Sequence, residues 1–138
     1  MSLLHRIVAL ALVIVASAAW SLSAQEAAPS KVENKFHAYS REGHRFPSKL
    51  ELATNDLDKL HDWVVNARKE KARFHVNLHA EDAKTQANQK LAGYHVYHRG
   101  PRLYWEPVGD LVKTEAEANT IADKLTGKYQ PIIVGVYK

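Results

Sequence analysis

RFHVNLHA, residues 73–80, alternates apolar and polar positions: Phe74, Val76 and Leu78 point one way, His75, Asn77 and His79 the other. A period of two is what a strand buried on one face requires, so a strand is expected here. The next stretch, EDAKTQANQKLAG (81–93), is rich in Ala and Gln and ends on Gly93, which predicts a helix with a Gly stop. YHVYH (94–98) and RLYWEPV (102–108) read as two short aromatic and β-branched strands around a turn at Arg99-Gly100-Pro101. TEAEANTIADKLTG (114–127) predicts a second helix, with Thr114 as cap, Glu117 three residues on and Gly127 at the exit. PIIVGVY (131–137) is an almost continuous apolar strand. The succession βαββαβ predicts an α+β fold of ferredoxin-like topology, an antiparallel sheet with both helices on one face.

Upstream of that half, NDLDKLHDWVVNARKEK (55–71) has the clearest helical signature in the chain. Asn55 is the expected cap, Asp56 and Asp58 sit in the first turn, and Lys69 and Lys71 lie in the last, all matching the helix dipole. Leu57, Leu60, Val64 and Ala67 fall on one stripe, flanked by Trp63, which is read as core. KFHAYS (35–40) predicts a short strand, and REGHRFPSK (41–49) reads as a charged loop. Residues 34–72 are therefore expected to form a strand-loop-helix extension before the domain at 73–138.

The first 24 residues differ in kind. Arg6 precedes IVALALVIVASAAW, an uncharged apolar run, and SLSA follows with small residues for cleavage. A secretory signal ending at Ala24 is expected; an uncleaved anchor would need roughly 20 apolar residues, more than the strongly apolar run provides. QEAAPSKVE (25–33) reads as a flexible leader. The rest of the chain is expected to be periplasmic or secreted, with no stable membrane span after cleavage. Arg6 is the only formal charge in the signal, so its removal takes the net charge from +4 to +3. A mildly basic exported chain suits anionic surfaces, and export disfavours nucleic acid as a partner. The chain has no cysteine, which excludes disulfides and thiol chemistry.

No metal site is expected. His75 and His79 share a strand face but lie about 13 Å apart along it, and His95 and His98 have opposite parity. No cofactor signature is present. The chain also lacks a Gly-x-Ser-x-Gly elbow and a phosphate-cradling Gly loop. Glu106 stands beside Trp105 without the second carboxylate that glycoside hydrolysis uses. A non-enzymatic role is expected.

The half from Arg73 to Tyr137 resembles the SPOR family of peptidoglycan-binding domains. Val76-Asn77-Leu78 is similar to its first strand, where the family tends to carry Gln between two apolar residues. Ala87, Leu91 and Gly93-Tyr94 are similar to a helix ending in Leu with a Gly-aromatic entry to the second strand. PRLYWEPVG (101–109) looks like the third strand, KTEAEANTIADKL (113–125) like the second helix, and YQPIIV (129–134) like the last strand. The resemblance implies binding of glycan strands stripped of their stem peptides, across the helix-free sheet face, often at the division septum. On this chain that face is expected to offer His75, Asn77 and His79, with rings from Tyr97, Tyr137 and either Tyr104 or Trp105, of which Trp105 is preferred. An alternative is a periplasmic or secreted protein-interaction domain, an inhibitor or accessory subunit, meeting an envelope protein through Arg41, His44, Arg45 and Lys49.

Overall fold

The computed structural model describes residues 32–101 and 104–138. The expected signal peptide and the leader as far as residue 31 lie outside the described residues, as do Arg102 and Leu103. In chain order the elements are β1 (Asn34–Arg41), β2 (Lys49–Thr54), α1 (Leu57–Lys69), β3 (Arg73–Ala80), α2 (Ala83–Asn88), β4 (Leu91–Arg99), β5 (Trp105–Pro107), α3 (Glu115–Asp123) and β6 (Ile132–Tyr137). The fold is α+β: the strands form one six-stranded sheet in the order β2-β1-β3-β6-β4-β5.

The sheet is mixed, not antiparallel throughout, because β3 and β6 run parallel while the other neighbours are antiparallel. A parallel pair needs a crossover, and the chain between β3 and β6 supplies it, inserting β6 between β3 and β4. β1 pairs with β3 along its whole length, from Asn34 opposite Ala80 to Arg41 opposite Arg73. Residues 34–72 thus contribute two strands and a helix to the same sheet.

The alternation in β3 decides what each face becomes. Val76 joins Phe36, Ala38, Ile132 and Val134 in a buried cluster, and α1 covers it with Leu60 and Val64, both without exposed surface. Fully burying a side chain of that size stabilises by about 1.5–3 kcal/mol. Asp56, one residue after the expected Asn55, caps α1 by accepting the Asp58 and Lys59 amides. Its own amide donates to Thr54 Oγ1. Trp63 packs edge-on against Phe74 at 5.6 Å, on the rim of this core.

The face carrying Asn77 receives α2 and α3. α3 starts with the expected capping box between Thr114 and Glu117 and packs on β4 and β6, burying Ala118 completely. α2 is much shorter than the sequence predicts. Asp82 caps it through Thr85, and it stops at Asn88, because Lys90 is already paired with Lys138 at the end of β6. Gly93 accordingly sits in β4 at a register shift and not at a helix exit. A Cβ there would collide with the Val112 carbonyl and the Leu111 side chain, so the close approach of that segment explains the glycine.

Candidate functional site

β3 and β6 exchange hydrogen bonds only around Asn77–Gly135 and Leu78–Val136. Where that ladder stops, a cleft of about 510 Å³ opens between the two strands. Its deep wall is apolar, made by Phe74, Val76, Ile132 and by Val64 of α1. Its polar lining comes from His75 and Asn77 of β3, Tyr94 of β4, Tyr137 of β6, Glu115 and Asn119 of α3, and Arg68 of α1. Clefts of roughly 300–1,000 Å³ with apolar walls and a few converging polar groups are the usual form of small-ligand sites.

Asn77 is the centre of the polar side. Among the described residues its amide has no hydrogen-bond partner, and Gly135 keeps the space beside it open. A Cβ at Gly135 would come within 2.9 Å of Asn77 Oδ1. Glu115 and Asn119 stand four residues apart on α3, hence on one helix face, and both turn to the cleft. Burial raises the Tyr94 hydroxyl above the ordinary phenol range, with the Glu115 carboxylate adding to the shift. His75 is held below the free imidazole value chiefly by partial burial, against the pull of Glu115. At neutral pH it is therefore an uncharged donor and acceptor.

Behind the cleft lies a histidine–tyrosine cluster. His37 and His79 are 4 % and 3 % exposed, with ring centroids 4.0 Å apart. A carbonyl only accepts, so His79 Nδ1 donates to the Ala80 oxygen at 2.9 Å. His79 Nε2 is then an acceptor with one lone pair, and Tyr39 Oη and His37 Nδ1, each 2.9 Å away, compete to donate to it. Gln86 of α2 adds its amide at 3.3 Å. Burial, then the neighbouring imidazole, lowers His37 below its ordinary value. The cluster reaches the cleft through Tyr39, stacked on His75 at 4.9 Å, and through Tyr137, edge-on to His79 at 5.9 Å.

Of the side chains expected to meet a ligand, the structure brings His75, Asn77 and Tyr137 to one cleft. His79 shares their face but is sealed under Tyr39 and α2. Tyr97 and Trp105 belong to the opposite face. Tyr97 pairs with Ile132 across β4 and β6 and packs edge-on against Phe36 at 5.3 Å. Trp105 lies on the α1 side, its indole N–H donating to Asp58 Oδ1 at 2.9 Å. Tyr104, the alternative to Trp105, is 69 % exposed and does not line the cleft. The helix-free face expected from the resemblance is thus not present, since α2 and α3 lie over the Asn77 side and α1 over the Val76 side. Arg68, Tyr94, Glu115 and Asn119 were not singled out from sequence. The four-residue spacing of Glu115 and Asn119 was the available signal; the splaying of β3 from β6 had none.

In the β1–β2 loop, Arg41 turns onto its own chain, donating to the Phe46 and His44 carbonyls at 3.0 and 2.7 Å. The His44 ring lies 2.8 Å from Arg73 Nη1, and Lys49 approaches Glu51 at 3.9 Å. Phe46 and Leu50 are 59 % and 50 % exposed in the same region. No set of three or more His, Cys, Asp or Glu side chains among the described residues is placed to hold a metal ion. No protein-family model, curated protein or solved structure matches the chain.

Proposed function

We propose that this chain is an exported, non-enzymatic binding module of the cell envelope that seats a small polar segment of its ligand in the β3–β6 cleft. The observation that carries the reading is the unpartnered Asn77 amide, in one cleft with His75, Tyr94, Tyr137 and Asn119. Hydroxyls, amides and a neutral imidazole around ring faces suit a sugar, whose CH faces stack and whose hydroxyls pair. Peptidoglycan glycan is the first candidate, in keeping with the SPOR resemblance and the expected export signal. The ferredoxin-like relation belongs to the same proposal. It is supported by the succession β3-α2-β4-β5-α3-β6 and by α2 and α3 sharing a face, while the parallel run of β6 beside β3 is this chain's own feature. With the sheet covered on both sides, the ligand enters by an end or a short segment and does not lie along an open face.

Pull-down on sacculi with and without amidase treatment tests the glycan: more binding after treatment supports it, and equal or absent binding to both contradicts it. Asn77→Ala is expected to abolish the difference. A second reading, docking of a protein partner at the β1–β2 edge, is favoured by exposed Phe46 and Leu50. Arg41 is already engaged by the loop carbonyls, so an apolar contact carries that reading better than the basic patch. Phe46→Ser would remove such binding and leave Asn77-dependent binding untouched.

A further inference from the structure

The two charged groups of the cleft stand on different layers: Glu115 opens α3 on one side of the sheet, and Arg68 ends α1 on the other. Among the described residues neither forms an ion pair with an opposite charge. Arg68 donates once to Gln130 Oε1 at 2.7 Å and once to the Pro131 carbonyl at 3.2 Å. A guanidinium has five N–H donors, so three remain.

We infer that the cleft takes an amphoteric ligand, an amino acid or the end of a short peptide, with its protonated amine at Glu115 and its carboxylate at Arg68. Both charges are exposed to solvent, so a neutral sugar leaves them hydrated and gains nothing from either. A ligand bearing both signs compensates each at its own end. Between the ends, the Asn77 and Asn119 amides and the Tyr94 hydroxyl match the donor and acceptor pattern of a peptide group. Half-buried Phe74 offers the apolar surface on which an aliphatic side chain rests. Arg68 adds geometric selection, because its planar fork reads a carboxylate bidentately where an ammonium would not. The inference rests on the cleft being the binding site; it seats a charged amino-acid or peptide end there in place of the glycan, and the two ligands are separate arms of the test.

Calorimetric titration of the full mature chain with four probes tests it: alanylalanine with free ends, its N-acetyl form, its C-terminal amide, and N,N′-diacetylchitobiose. The free dipeptide is expected to bind about tenfold more tightly than either capped form, a difference of about 1.4 kcal/mol. Glu115→Gln is expected to erase the preference over the N-acetyl form, and Arg68→Gln the preference over the amide. Arg68→Lys, which keeps the charge, retains part of that preference, and thermal melts confirm that each variant is folded. Equal binding of free and capped dipeptides overturns the inference. Binding of the chitobiose alone also overturns it, while leaving the cleft as a sugar site. Binding of none overturns both.

Discussion

The two faces of β3 come from one alternating octapeptide and are used in opposite ways. Val76 faces an apolar layer in which Leu60, Val64, Ile132 and Val134 leave almost no surface. Asn77, the next residue, faces tyrosines, imidazoles, a carboxylate and open space. The first face makes the sheet stable. The second holds polar groups without internal partners, the condition under which a ligand rather than the protein satisfies them. The lesson is that one helix packed tightly on one side leaves the opposite side free to be irregular.

The sharpest way to break this contrast is on the apolar side. Leu60→Ala is expected to destabilise by about 2–5 kcal/mol, as large-to-small changes in packed cores do, with urea unfolding as the measure. Thr114→Ala on the polar side removes one half of the α3 capping box, for an expected loss of about 1 kcal/mol. If Thr114→Ala costs more than Leu60→Ala, the stability assignment is reversed.

Acid should act through the polar face as well. His37 has its proton affinity lowered by burial and by His79, so below its ordinary value of 6.5 the unfolded chain binds more protons there than the folded one. Stability is therefore fully present above pH 6.5 and falls as the pH drops from there toward the depressed folded value. His37→Gln is expected to flatten that fall, seen in melts between pH 5 and 7. An unchanged slope would mean that the pair is not the titrating group. The smallest effect on stability is expected for Asn77→Ala, within about 0.5 kcal/mol, since its amide has no partner to lose. The same change is expected to weaken ligand binding most.

Much of this was readable from the chain. The alternation of β3, the stripe of α1, the Thr114–Glu117 box and the apolar run of β6 are local patterns, and local physics produced them. What failed did so for tertiary reasons. Gly93 looks like a helix stop, yet the chain must rejoin the sheet at Lys90, which pairs with Lys138, so α2 ends early and the glycine serves a close approach by Leu111 and Val112. β2 was not anticipated: the charged loop was expected to run to Lys49 and residues 50–54 were assigned no element, because the KLELAT side chains are mostly exposed and leave little burial pattern. Trp105 was assigned to the ligand face because parity on a three-residue strand has nothing to fix it; its partner Arg99 and acceptor Asp58 settle it in space. The cleft depends on where two strands cease to pair, and no residue pattern encodes that.

The most direct measurement is amide NMR during titration with solubilised, peptide-free glycan strands and, separately, with alanylalanine. The account predicts shifts concentrated at Asn77, Gly135 and Asn119, including the Asn77 side-chain amide, with Phe46 and Leu50 unmoved. Shifts confined to Phe46 and Leu50, or none at saturating amounts of either ligand, would contradict it.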